Sequence, residues 1–171
     1  MSTPRERDTL SGRVALVTGA GIRVGRAIAL ALGARGMHVV VHYNGSRDGA
    51  METARLIRDA GGEATVEQAN LADAADAERL IDRVVSVHVS LWALVNSAAV
   101  MLRTPLGEVS TEQWDSMFAL NVRAPFFLAQ RAAPAYGATV QPKRTPSTCA
   151  LAAGDRCRQS SEPTRSSGCR L

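Results

Sequence analysis

The feature that most restricts this chain is a glycine turn lying between its first apolar run and its first amphipathic stretch. Residues 14–17 read Val-Ala-Leu-Val, and Thr18-Gly19-Ala20-Gly21-Ile22-Arg23-Val24-Gly25 follows at once. Unpaired N–H groups at a helix start attract phosphate, and glycines let the backbone approach a pyrophosphate closely. Alone, such a spacing can mark an ordinary tight turn. Its place between a strand and a helix of a repeating pattern is what points to dinucleotide binding.

The pattern repeats as follows. A helix is predicted over 24–34, closed by Gly36, then a buried strand over 37–43 built on Val39, Val40 and Val41. A helix over 48–60 places Met51, Ala54 and Ile57 on one face, and a weaker strand follows over 64–68. Asp73 can cap a helix whose Ala77, Leu80, Ile81, Val84 and Val85 form an apolar stripe. The fourth strand is predicted over 91–95, and Ser110 with Gln113 forms a capping-box signature before a helix carrying Trp114, Met117, Phe118 and Val122. Such alternation implies an α/β fold with right-handed crossovers: a Rossmann-type, doubly wound parallel sheet, here of about four strands and incomplete, with helices on both faces.

Composition divides the chain sharply. Of 171 residues, 46% are hydrophobic, enough for one domain with a core. Beyond Tyr136, however, the sequence is rich in Ser, Thr, Pro, Arg and Cys, with no Ile and no further aromatic residue. The organisation expected is a polar lead over 1–12, a nucleotide-binding domain over 13–135, and a tail over 136–171 too polar to offset its ordering entropy and therefore largely disordered. The formal charge of +4 belongs to that tail: residues 1–136 hold 14 basic and 14 acidic side chains, residues 137–171 six and two. The six are scattered with no aromatic residue among them, which argues against a nucleic-acid partner. Cys149, Cys157 and Cys169 match no paired zinc-knuckle spacing, so no metal site is expected. No apolar run approaches the roughly 20 residues that span a bilayer, and residues 1–13 lack the apolar stretch of a signal peptide. The expectation is a cytoplasmic protein with no membrane partner.

The second strand should end near the adenosine ribose, where an NAD-selective site presents an acid to the 2′-hydroxyl. No acid occurs from Val39 to Arg47. The segment His42-Tyr43-Asn44-Gly45-Ser46-Arg47 instead offers donors and a guanidinium able to pair with a 2′-phosphate, which favours NADP(H) over NAD(H). Alternatively, Arg47 is a solvated loop charge and His42 merely ends a strand.

The glycine turn, the Asn-Leu-Ala-Asp segment at 70–73, Asn96-Ser97-Ala98-Ala99 after the fourth strand, and Asn121-Val122 together resemble the short-chain dehydrogenase/reductase family. The resemblance runs from about Gly12 to Ala135, roughly the first half of a typical family domain. It implies that Thr18, Gly19, Gly21, Ile22, Arg23, Val24 and Gly25 hold the pyrophosphate. Asn70 and Leu71 would flank the adenine, Asn96 and Ala98 would line the cofactor near the fourth strand, and Asn121 would be the catalytic-site asparagine. Arg23 stands where the family's pattern has its second glycine and Ala99 where the strand-four motif ends in glycine. Both departures, with the His42-Tyr43 segment, resemble the pteridine-reductase branch, so the substrate implied is a small carbonyl compound or a pterin. Family members commonly pair subunits through the Asn121 helix and the next one, so a homo-oligomer is possible. Asn121 is also notable on physical grounds: Pro125 cannot donate the helical hydrogen bond that the Asn121 carbonyl would otherwise receive, leaving either an acceptor for a proton-relay water or a simple kink.

The family's chemistry resembles acid catalysis by a tyrosine, with a lysine four residues on and a serine at the substrate carbonyl. A phenol near pKa 10 needs such a cation to work at neutral pH. The chain's two tyrosines are Tyr43 and Tyr136, followed four residues later by Arg47 and Val140, and its one lysine is Lys143. The expectation is an oxidoreductase by family that is inactive in this form, its C-terminal part truncated or frameshifted near Ala135. The chain's 19 Arg against one Lys fit a GC-rich coding sequence prone to that reading. A non-catalytic nucleotide-binding module is the alternative. A sheet ending at its fourth strand would leave apolar surface uncovered, which predicts marginal stability or aggregation. A cooperative melt of soluble monomer above about 50 °C would count against that expectation.

Overall fold

Short apolar runs joined by amphipathic stretches fold here into a parallel sheet clad by helices, in the computed structural model, which describes residues 10–88 and 90–136. Strands β1 (Val14–Val17), β2 (His38–Tyr43), β3 (Glu63–Gln68) and β4 (Ala93–Val95) alternate with helices α1 (Arg23–Gly33), α2 (Arg47–Asp59) and α3 (Ala74–His88). After β4 come α4 (Thr111–Phe118), a π turn at Ala119–Arg123, α5 (Ala124–Ala132) and a 3₁₀ turn at Ala133–Ala135.

All pairings are parallel and the strand order is β3-β2-β1-β4, with Leu16 opposite Val40 on one side and Leu94 on the other. β1 is buried along its whole length because alternate side chains enter two different cores. Val14 and Leu16 join Val40, the α3 residues Leu80, Ile81 and Val84, and Leu128 of α5. Ala15 and Val17 join Val39, Val41, Ala29 of α1 and Ala54 and Ile57 of α2 on the opposite face. This is the doubly wound arrangement expected from the sequence. The chain runs outward from β1 to β3 and then crosses back to place β4 beside β1. The C-terminal ends of β1 and β4 therefore form the topological switch point, where such sheets bind ligands.

Local signals mostly hold. Asp73 Oδ1 accepts from the Asp76 N–H at 3.1 Å, and the predicted α3 stripe is buried at Ala77, Leu80, Ile81 and Val84, with Val85 partly covered. The capping box forms in both directions: Ser110 Oγ accepts from Gln113 N–H, and Gln113 Oε1 accepts from Ser110 N–H. Two faces differ from expectation. Met51 is 47% exposed, because the buried stripe of α2 is Ala50, Thr53, Ala54 and Ile57, and Met51 sits about 100° around the helix from Ala50. Trp114, Phe118 and Val122 are also exposed, the first two stacked on each other at 4.4 Å, since no described element lies over that side of α4. The expected disordered tail with its three cysteines and Lys143, and residues 1–9 of the polar lead, lie outside the described residues.

Candidate nucleotide cleft

A cleft of about 510 Å³ opens at the switch point, walled by the glycine turn, the end of β2, the loop after β3, the loop after β4 and one face of α4. Its glycine turn is packed backbone against backbone. Gly19 has φ +65°, and a Cβ there would lie 2.8 Å from Ala98 Cα; a Cβ on Gly25 would lie 2.3 Å from the Gly19 carbonyl oxygen. Both positions exclude any side chain, so the first turn of α1 presents main chain to the cleft. That turn also lacks a side-chain cap: its N-cap is Ile22, and no acidic residue lies in it. Its leading N–H groups are thereby left for an anion. Arg23, which replaces a glycine of the family pattern, adopts φ +50°, a left-handed conformation costly for a residue with a side chain.

Two buried side chains tie the turn to its neighbours. Thr18 Oγ1 accepts from the N–H groups of Ser97 and Ala98, at 3.0 and 3.1 Å, and donates to the Val95 carbonyl. It clamps the end of β1 to the loop after β4. His42 Nδ1 accepts from Gly19 N–H at 3.2 Å, while Nε2 lies 3.1 Å from the Ala69 carbonyl. A carbonyl can only accept, so the proton sits on Nε2 and the ring is neutral. Burial holds His42 well below the usual imidazole value, at about 4, against a weaker opposing pull from the Ala69 carbonyl.

Most of the residues singled out from the sequence converge on this cleft. Gly19, Gly21, Ile22, Arg23, Val24, Gly25, His42, Tyr43, Asn44, Ser46, Asn70, Leu71 and Ala98 line it. Four others lie outside the lining. Thr18 is buried beneath the turn as the clamp just described. Arg47 is exposed as the first residue of α2, and Asn96 is exposed beyond the end of β4. Asn121 turns its side chain to the main chain of Val100, accepting from its N–H at 2.9 Å and donating to its carbonyl at 2.7 Å. It therefore pins the loop after β4. The proline effect predicted at this point takes the form of a π turn: Pro125 supplies no N–H to Asn121, and the Ala124 N–H donates five residues back to Ala119.

Sequence reasoning missed Gly45, Ala72, Ser97, Ala99, Val100, Ser116 and Leu120, which also line the cleft. Ser116 and Leu120 are four residues apart, a spacing that becomes informative only once α4 and the π turn after it are known to face the cleft. No carboxylate contributes to the lining, and Arg23 is its one formal cation. Among the described residues no cluster of His, Cys, Asp or Glu could hold a metal, and no helix is long and apolar enough to cross a membrane. Tyr136 has its phenol raised by burial, opposed by a hydrogen bond with the Leu94 main chain; that direction is the reverse of a phenol primed to ionise.

A parallel α/β sheet with a bare glycine turn at its switch point defines the doubly wound class of nucleotide-binding folds. Within that class the short chain dehydrogenase model matches residues 13–141, and the chain belongs to that family of oxidoreductases. The short chain dehydrogenase mdpC of Emericella nidulans is 41% identical over 72% of this chain and 46% of its own length. The trihydroxynaphthalene reductase PfmaI of Pestalotiopsis fici is 36% identical over 72% of this chain and 44% of its own. Among solved structures, the landomycin C-6 ketoreductase LanV with bound NADP and rabelomycin is 40% identical, with a TM-score of 0.70 over 74% of this chain and 54% of that one. The chain thus spans about half the length of the relatives it matches.

The His42 bridge predicts an acid-sensitive fold. An unfolded imidazole takes up its proton near pH 6.5, whereas folded His42 resists protonation until about pH 4. Between those values the unfolded chain binds more protons, so stability present above pH 6.5 is lost as acid is added, by on the order of 3 kcal/mol in all. Urea unfolding midpoints of the native chain should fall across this window more steeply than those of His42→Asn; parallel pH profiles for the two would show that His42 is not held neutral.

Proposed function

We propose that this chain is the cofactor-binding part of an NADP(H)-dependent reductase acting on a small-molecule carbonyl compound. The observation that carries this reading is the acid-free cleft at the switch point, with its uncapped helix start and bare glycine turn. A dinucleotide needs main-chain donors at its pyrophosphate. An additional 2′-phosphate needs a site without carboxylates and with donors near the end of β2. Both requirements fit the residues present.

In this reading Gly19, Gly21 and the N–H groups of residues 22–25 hold the pyrophosphate. Tyr43, Asn44, Ser46 and Arg47 surround the 2′-phosphate, with Arg23 facing it across the cleft. Asn70 and Leu71 flank the adenine. Asn96 and Ala98 belong to the nicotinamide side, where a bound reduced nicotinamide supplies hydride. Thr18 and His42 act through the backbone they hold, and Asn121 acts by fixing the Val100 loop that borders the same end of the cleft.

The named relatives support the substrate class. One is a trihydroxynaphthalene reductase and another a ketoreductase crystallised with NADP, which favours a carbonyl substrate over the pterin that the sequence pattern left open. The 171 residues contain no tyrosine followed four positions later by lysine, so we propose that this chain binds cofactor without turning over substrate. Nicotinamide fluorescence should then report NADPH binding tighter than NADH, with no ketone-dependent loss of NADPH absorbance. Gly25→Val drives its side chain into the Gly19 carbonyl and should lower NADPH affinity by more than about 10-fold. Tighter binding of NADH, or undiminished NADPH affinity in that variant, would defeat the reading.

A further inference from the structure

Arg26 lies on α1 one residue beyond the glycine turn, outside the cleft lining, and its guanidinium joins three separate backbone or side-chain acceptors. Nε donates to the Gly21 carbonyl at 3.1 Å and to Thr53 Oγ1 at 3.0 Å, and Nη2 donates to the Gly49 carbonyl at 3.0 Å. Thr53, fully buried, donates in turn to the same Gly49 carbonyl at 2.8 Å. One side chain therefore staples the glycine turn to the first turns of α2.

The two segments so joined are packed to contact. A Cβ on Gly49 would lie 2.6 Å from the Gly21 carbonyl oxygen, and one on Gly21 would lie 3.1 Å from both the Ser46 carbonyl and the Ala50 nitrogen. They also border one end of the cleft: the turn carries Ile22 and Arg23, the N-cap of α2 is Ser46, and Arg47, just outside the lining, begins the helix. The Gly21 and Gly49 carbonyls, one from each segment, are both satisfied by the fork of Arg26. Its charge is only partly countered: the Glu52 carboxylate, paired mainly with Arg55, also feels it through space. All of its hydrogen-bonded partners are neutral, and no carboxylate within ion-pair distance of Arg26 occurs among the described residues. A fixed cation thus sits behind the wall where Ser46 and Arg47 begin α2.

We propose that Arg26 is the positioning residue for cofactor selectivity, setting the spacing and the local positive potential at the 2′-phosphate end of the cleft without touching the nucleotide. This rests on the cofactor reading above. It separates Arg26 from the residues that grip the pyrophosphate, because both NADPH and NADH use the glycine turn and only NADPH brings a 2′-phosphate to the start of α2. A purely structural arginine would weaken both nucleotides together.

The test compares NADPH and NADH dissociation constants for the native chain, Arg26→Met and Thr53→Val, the last removing one acceptor of the staple in a side chain of unchanged shape. Arg26→Met should lose about 10-fold or more in NADPH affinity while NADH affinity shifts by less than about 3-fold; Thr53→Val should move the ratio the same way by a smaller factor. Equal losses for the two nucleotides, or an unchanged ratio in both variants, would overturn the proposal. If Arg26→Met fails to fold, Thr53→Val decides alone. A native chain that bound neither nucleotide would remove the cofactor reading and this proposal with it, an outcome distinct from native NADPH binding with an unaltered ratio in the variants.

Discussion

The arrangement at the head of β1 depends on one contact, the meeting of Gly19 with the main chain of Ala98. Strand β1 is the axis of the sheet, with β2 on one side and β4 on the other, and its last residues must turn away without obstructing either neighbour. A Cβ at Gly19 would fall within 3 Å of Ala98 Cα. Because nothing projects there, Thr18 can reach the N–H groups of Ser97 and Ala98 from below, and His42 can reach the Gly19 N–H from the side. Strands β1, β2 and β4 and the loop after β3 are thus joined at one point by short polar bonds. The cleft is the space those bonds leave above it.

Burial and polarity are balanced at this junction in a particular way. Thr18 and His42 are almost fully inaccessible, and each would be costly to bury unpaired. Each instead spends its hydrogen-bonding capacity on neighbouring main-chain groups, and no buried side-chain polar atom among the described residues is left without a partner. Arg26 extends the same logic outward to α2, and Asn121 extends it to the loop ending at Val100. The walls of the cleft are therefore set by side chains that do not themselves line it, with the exception of His42. A rigid enclosure of that kind suits a ligand recognised mainly through phosphates, for which donor position matters more than apolar fit.

Much of this was legible in the sequence because it rests on periodicity and on residues with few conformational options. Val14–Val17 and Val39–Val41 are too apolar for anything but buried strands, Ser110 and Gln113 announce a helix start, and glycines between strand and helix announce the cleft. The gaps have equally definite causes. Met51 and the Trp114–Phe118 pair are apolar yet exposed, since hydrophobicity identifies a candidate face but not which element covers it. Motif position points to Asn96 and Arg47, but the side-chain direction at each depends on where β4 ends and α2 begins. The staple of Arg26 to Gly49 and the two hydrogen bonds between Asn121 and Val100 join residues 23 and 21 positions apart, respectively, a pairing that composition and spacing do not encode.

We propose that the cleft at the switch point, held by these polar joints, receives the nucleotide. The most direct test of this is amide chemical-shift mapping of the isotopically labelled chain titrated with NADPH. The expected result is a contiguous set of perturbed N–H signals at residues 19–25, 44–47, 70–72 and 97–100, with the surface groove formed by Asp82, Phe127 and Arg131 unchanged. Perturbations centred on that groove, or spread without relation to the glycine turn, would contradict it.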